Sequence, residues 1–249
     1  MKAAATLRLA SAPDWLKLDP GLTAADVAPA FRRFGRVHVP GALTNPAARR
    51  LYASLVEETP WMRIFNHGAQ IYRLTVDEWD RLSQTARDQL LDGLYAEARG
   101  GFQFLYDSYN ITDAVERGAR LGLAVEAVHD FVNGSAFLDF VAEIADEPRA
   151  RRADAQATLY RPGHFLTQHT DEQGGSDRLL AYVLNLSPDW RPDWGGLLAF
   201  MDPDQHVAEA YTPRFNALNL FRVPQSHCVT AVAPYAGGPR LSITGWIKA

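Results

Sequence analysis

The run Tyr160-Arg-Pro-Gly-His-Phe-Leu-Thr-Gln-His169-Thr-Asp171 constrains this chain more than any other stretch. His169 and Asp171 stand two residues apart, and on an extended segment residues i and i+2 point to the same face. An imidazole and a carboxylate can therefore reach one metal ion from a single strand end. A lone His-x-Asp is a weak signal, because the same pair also hydrogen-bonds locally in turns. The residues downstream strengthen it. A third ligand is offered by His227, in Pro-Gln-Ser-His-Cys-Val, 58 residues after His169. Thirteen residues further on comes Arg240-Leu-Ser242, in the strand-like run Arg240-Leu-Ser-Ile-Thr-Gly-Trp246. Such an Arg can fork onto a carboxylate bidentately, with the Ser hydroxyl on the same face.

Two imidazoles and a carboxylate on one side of a metal, with the opposite positions open, is the arrangement of non-heme Fe(II) oxygenases. The other five histidines (His38, His67, His129, His164 and His206) have no partner at useful spacing and read as surface or satisfied-core residues. Cys228, the one cysteine, permits no intramolecular disulfide and fits a reducing, cytoplasmic setting. If His227 points at the metal, strand alternation turns Cys228 away, as a small buried residue.

The scaffold is expected to change texture after Pro148. Before it, helices are expected over residues 22–34, from Thr44 to about Glu58, from Thr75, over 88–99 up to Gly100-Gly101, and over 123–132 and 135–144. Short strands are expected at 36–40 and 71–74. After it, β-like runs at 155–160, 179–186, 197–200, 217–221, 229–232 and 241–246 alternate with Gly, Pro and Asp turns. That spacing suggests a sandwich or barrel, and helices followed by strands fit an α+β order. With 249 residues and 47 % hydrophobic content, the expectation is one catalytic domain over 1–249: a mainly helical part, 1–150, and a β core, 151–249, carrying the metal site. The net charge of −4, both signs interspersed, argues against a nucleic-acid surface. Met1–Leu18 lacks the apolar centre of a signal peptide. No run of about 18 apolar residues is available to span a membrane.

His-x-Asp, a distal His and a downstream Arg-x-Ser resemble the Fe(II)/2-oxoglutarate-dependent dioxygenases. More narrowly they resemble the prolyl hydroxylase branch, with its ribosomal and hypoxia-factor members. Pro239–Trp246 is similar to the closing strand of the ribosomal group. Arg178–Trp190 and Trp194–Phe200 look like the family's central strands, and Phe102–Tyr109 resembles a segment ahead of the core in bacterial members. The resemblance covers about residues 155–247; the N-terminal part matches loosely. It implies a double-stranded β-helix, a jelly-roll relative, with helices packed on one sheet. It also implies Fe(II), 2-oxoglutarate and O2 as cofactors, with ascorbate as a candidate addition. His169, Asp171 and His227 would hold the metal, Arg240 and Ser242 the distal carboxylate of 2-oxoglutarate, and Tyr160 would stand close to that cosubstrate.

There are two departures. Asn185 stands where family members often carry a cosubstrate-binding tyrosine; an amide donates the same bond with shorter reach. Arg240 lies slightly farther from the distal His than is usual, and Tyr235-Ala-Gly-Gly-Pro reads as the longer turn that absorbs the difference. Tyr182, at odd spacing from Asn185, falls on the opposite face. The implied activity is hydroxylation of a prolyl residue in a protein or peptide, a ribosomal protein among the candidates, with release of succinate and CO2. Two alternatives stand beside it: the same chemistry on a free amino acid or small metabolite, and a non-catalytic β-helix binding or sensor protein. Phe102–Tyr109 and the loop Asp171–Asp177, with Gly174-Gly175, are the segments expected to close over a substrate.

Overall fold

The computed structural model describes residues 12–172 and 177–249; the Gly174-Gly175 expectation lies outside the described residues. Helix α1 (Ala24–Phe34) ends at Gly35, whose φ of 67° is the left-handed C-cap that glycine supplies. It feeds β1 (Arg36–Pro40). Helix α2 (Asn45–Glu57) opens behind Thr44 with Pro46 in its first turn, as expected, although the Thr44 side chain makes no cap bond. A hairpin of β2 (Met62–His67) and β3 (Gln70–Thr75) follows. Thr75 and Glu78 form a reciprocal capping box that starts α3 (Val76–Arg81). Next come α4 (Gln84–Ala98), β4 (Phe104–Tyr109), α5 (Ile111–Glu116), α6 (Ala127–Val132) and α7 (Ser135–Ala145).

After Pro148 the strands dominate. They are β5 (Arg152–Ala153), β6 (Gln156–Tyr160), β7 (Phe165–His169), β8 (Arg178–Asn185), β9 (Leu198–Met201), β10 (Val207–Tyr211), β11 (Ala217–Arg222), β12 (His227–Val229) and β13 (Arg240–Lys248). They form one antiparallel sheet in the order β1-β11-β8-β13-β6-β4-β7-β12-β9-β10, with β2 and β3 attached beside β4 and β5 beside β13. The sheet curls into a nearly closed jelly-roll barrel, the double-stranded β-helix that the resemblance implied. No helix of the described residues is long and apolar enough to cross a membrane.

Strand alternation sorts side chains between the barrel interior and the helical layer. Leu180, Tyr182 and Leu184 of β8, Leu218 and Leu220 of β11, and Leu241, Ile243 and Ile247 of β13 face outward. There they share one cluster with Phe31, Leu51, Leu55, Val141 and Ile144 of α1, α2 and α7. Tyr182 donates to the Asp154 carbonyl at 2.8 Å, so it serves the scaffold rather than the interior. Ala181, Val183, Phe200, Tyr211 and Phe221 face inward. Helices α3 and α4 cover the outer side of the hairpin and β4 through Trp79, Leu94, Phe65 and Leu105.

One expectation is corrected here. Phe102–Tyr109 is not a loop: Phe104–Tyr109 is a strand hydrogen-bonded to β2, β6 and β7, which ties it into the sheet and leaves Phe102 just outside.

Gly245 shows how tightly β13 is clamped. A Cβ there would lie 1.9 Å from the Asp154 carbonyl oxygen and 2.8 Å from the Tyr182 ring. Asp154 also accepts from the Trp246 amide at 2.6 Å, so this backbone has no room to retreat. Gly245→Ala is expected to cost about 3 kcal/mol or more, at or beyond the upper end of ordinary overpacking. A melting temperature equal to the parent's would contradict this.

Candidate active site

His169 ends β7 and His227 begins β12, and the two are register partners across that strand pair. Their ring centroids lie 4.1 Å apart. Each Nδ1–H donates to the carbonyl two residues back: His169 to Thr167 at 2.9 Å, His227 to Gln225 at 2.8 Å. A carbonyl only accepts, so both Nε2 atoms are left as lone-pair donors, the tautomer that metal ligation needs.

Asp171 completes the set by a route the sequence did not suggest. It is not the next inward residue of an extended strand. Its φ is 62°, the left-handed region that Asp enters more readily than most residues. That turn folds the carboxylate back between the imidazoles, with Oδ1 3.3 Å from His169 Nε2 and Oδ2 3.5 Å from His227 Nε2. The ligating atoms all lie within 4.8 Å of one another.

Electrostatics suit a cation. Burial alone would raise the Asp171 carboxyl, but the facing His169 and His227 rings and the Trp246 side chain outweigh it and hold the group below the usual carboxylate range. Burial, and then His169, push the His227 imidazolium down to about 4, so its ring is neutral at physiological pH. Cys228, next in the chain, is half-buried, and burial pushes its thiol up.

A second polar group sits deeper in the barrel. Arg240 is buried, and burial lowers its guanidinium from the usual value. Its Nη1 donates to Ser242 Oγ at 3.1 Å, its guanidinium carbon lies 5.0 Å from the centre of the Tyr160 ring, and its Nε has no partner. Among the described residues no carboxylate pairs with it. A buried guanidinium with no counter-charge is costly unless a ligand supplies one. Asn185, the register partner of Ser242, is equally buried. Its Nδ2 makes two long contacts of 3.4 Å and its Oδ1 has none, so in either amide orientation one end is free for a ligand. Tyr160 is opposite Arg240 in register, and burial pushes its hydroxyl well above the ordinary tyrosine range, where it stays a donor. A metal-binding triad and an unpaired guanidinium inside one barrel fit a cation plus a small dicarboxylate.

All seven residues singled out in the sequence therefore line the barrel interior. Four more were not singled out. Thr158 Oγ1 shares a 2.8 Å hydrogen bond with Ser242 Oγ. Tyr106 stacks on Tyr160 at 5.1 Å. The Trp246 side chain hydrogen-bonds the Asp171 carboxylate. Arg178 covers the Trp246 ring at 3.5 Å and donates to the Asp171 carbonyl at 3.1 Å. Period-two counting from Arg240 reaches Trp246, and from Tyr160 it reaches Thr158; that was the available signal. His206 is exposed and takes no part.

Residues 155–248, which hold the triad, Arg240 and the strands from β6 to β13, match the model of the 2OG-Fe(II) oxygenase superfamily. That stretch is similar to a 2OG-Fe(II) oxygenase domain. The superfamily's name carries Fe(II) and 2-oxoglutarate, a cation and a small dicarboxylate of the kind this interior fits. The chain is also similar to the mouse prolyl 3-hydroxylase OGFOD1, 35 % identical over 123 residues, which is 47 % of this chain. The chain covers only 22 % of that relative's length. Among solved structures, a Pseudomonas putida prolyl-4-hydroxylase aligns with a TM-score of 0.56 at 18 % identity, over 91 % of this chain and 98 % of the other. The Trichoplax adhaerens prolyl hydroxylase, solved with a hypoxia-inducible-factor peptide, aligns with a TM-score of 0.53 at 14 % identity, over 90 % and 88 %. The epimerase SnoN of nogalamycin biosynthesis aligns with 0.55 at 14 %, over 91 % and 83 %. At these identities the structural matches speak for the fold alone.

Two buried imidazoles give the protein a pH signature. His164, whose Nδ1 has no partner, is pushed down to about 4 by burial, like His227. An unfolded histidine titrates near 6.5, so between about 6.5 and 4 the unfolded chain binds more protons than the folded one. Stability is therefore full above that window and lost as pH falls through it, by on the order of 3 kcal/mol per imidazole at most. Asp107 and Asp171, both held low, lose their share only below it. The metal-free protein is expected to melt at steadily lower temperature from pH 7 to pH 4.5, with a shallower slope in His164→Gln. A flat profile in both would contradict the assignment.

Proposed function

We propose that the chain is an Fe(II)- and 2-oxoglutarate-dependent dioxygenase that hydroxylates a prolyl residue of a protein or peptide. The observation that carries this is the pairing inside one barrel of two Nε2 lone pairs and a carboxylate with a buried, unpaired guanidinium. In this reading His169, Asp171 and His227 hold the metal. Arg240 and Ser242, the latter fixed by Thr158, take the distal carboxylate of 2-oxoglutarate; Tyr160 donates to the same cosubstrate, and Asn185 lies beside Ser242. Bound Fe(II), with 2-oxoglutarate and O2, supplies the oxidising power that places one oxygen atom in a C–H bond and the other in succinate, with loss of CO2. The protein's part is geometry. Trp246 and Arg178 orient Asp171 from side chain and backbone, and the carbonyls of Thr167 and Gln225 fix both imidazole planes. Phe200 and Phe221 wall the His227 side with apolar surface that excludes water.

The prolyl substrate is supported by the similarity to OGFOD1. The shared outward cluster joining α1, α2 and α7 to the barrel supports reading 1–249 as one catalytic unit. The single cysteine fits the cytoplasmic setting this function assumes. A small-molecule substrate is the second reading, because the same fold also serves the epimerase SnoN.

The test is succinate formation with Fe(II), 2-oxoglutarate and O2 in the presence of proline-containing peptides and ribosomal proteins, with mass spectrometry locating the added oxygen. Stimulation with oxygen on a proline is the expected result. Succinate formation that no proline-containing substrate stimulates would remove the prolyl part and leave the oxygenase.

A further inference from the structure

The interior wall of β4 and β6 is a chain of aromatic rings. Tyr160 lies over Arg240, Tyr106 stacks on Tyr160 at 5.1 Å, Phe104 lies 5.6 Å from Tyr106, and Phe102 lies 5.8 Å from Phe104. Every ring but the last is largely covered. Phe102 is 51 % exposed, yet its ring rests 5.5 Å from that of His169. Among the exposed large apolar side chains of the described residues, it is the one with a ring contact to the triad. If Arg240 anchors the cosubstrate at the buried end, the molecule to be oxidised approaches the metal at the other end, across Phe102.

Resting on the function proposed above, the geometry points to Phe102 as the platform that receives the substrate's pyrrolidine ring. A half-exposed phenyl face loses its remaining water when a flat apolar group covers it. The face carries negative charge density, and hydrogens on carbons next to an amide nitrogen are electron-poor, so a prolyl ring is a complementary cover. An alanine side chain at the same place would leave most of the face wet. Phe102 therefore sets preference for proline and acts before chemistry, as a specificity determinant.

The test is an affinity selection without oxygen. Protein loaded with Fe(II) and 2-oxoglutarate is immobilised and offered an equimolar mixture of two peptide pools with random flanks, one with proline at the centre and one with alanine. Retained peptides are counted by mass spectrometry. The parent is expected to enrich proline over alanine, Phe102→Ala to lose that enrichment by about tenfold, and Phe102→Tyr to keep it. Fe(II) and 2-oxoglutarate affinities, read from the visible absorption of their complex, are expected to stay within about twofold in both variants, which a collapsed His169 would not allow. Equal enrichment by Phe102→Ala, or none by the parent, overturns the inference. Air admitted afterwards tests the function separately: enriched peptides that gain no oxygen count against prolyl hydroxylation and leave the platform standing.

Discussion

Replacing Asp171 with asparagine is expected to weaken Fe(II) binding by more than about 100-fold, since loss of a mere supporting partner already costs 10- to 100-fold. Turnover of 2-oxoglutarate should vanish with it. Asparagine is the informative substitution because of the backbone. Asp171 has φ 62°, where alanine adds strain of about 1–2 kcal/mol and asparagine adds little. Asp171→Ala therefore mixes ligand loss with a distorted turn. Asp171→Asn keeps the shape and the turn and removes only the charge between His169 and His227. The check is iron retained after gel filtration, beside the melting temperature of the metal-free protein. Full iron occupancy in Asp171→Asn would remove Asp171 from the metal site.

The second large effect concerns Arg240, and here the sign of the stability change separates two accounts. A structural arginine would destabilise the protein when lost. Arg240 has no carboxylate partner among the described residues and an unsatisfied Nε, so its burial is a cost that the chain does not offset. Arg240→Met is expected to leave the cosubstrate-free protein as stable as the parent or more so. The same change should weaken 2-oxoglutarate by about 100-fold or more, as two charge-assisted hydrogen bonds of about 1.5–3 kcal/mol each are lost. Thermal shifts with and without 2-oxoglutarate read both quantities. A large drop in melting temperature without 2-oxoglutarate, with the ligand-induced shift intact, would make Arg240 a scaffold residue. Arg240→Lys should not rescue, because a point charge cannot reproduce the planar fork.

What the sequence revealed and what it hid have physical reasons. The interior face of β13 was legible because Arg240, Ser242 and Trp246 recur at period two in an otherwise apolar run. The α+β order was legible because the helical spacing ends and the short β-branched runs begin near Pro148. Strands β2, β7 and β10 and helix α5 were not marked. Phe165–His169 has four consecutive half-buried or exposed positions, which show no simple alternation. Val207–Tyr211 is an exposed strand paired on one side only, with no apolar face to betray it. Strand β12 was expected at 229–232, over the run Val-Thr-Ala-Val. It forms at His227–Val229, because β7 and β9 offer partners there. The left-handed turn at Asp171 is in part a tertiary decision: Trp246, far along the chain, and Arg178, seven residues on, hold it. Asn185 was legible as a departure from the family's tyrosine, but its free amide end became visible only with β8 and β13 in register.

The most direct test of the account is an anaerobic titration of the metal-free protein with Fe(II) and then 2-oxoglutarate, watching for the visible charge-transfer band of a chelated 2-oxo acid. The account predicts a band in the parent, none in Asp171→Asn, and one in Arg240→Met that needs about 100-fold more 2-oxoglutarate or more. Iron bound by the parent with no band at saturating 2-oxoglutarate would contradict it, and would leave a metal-holding barrel whose buried guanidinium serves some other anion.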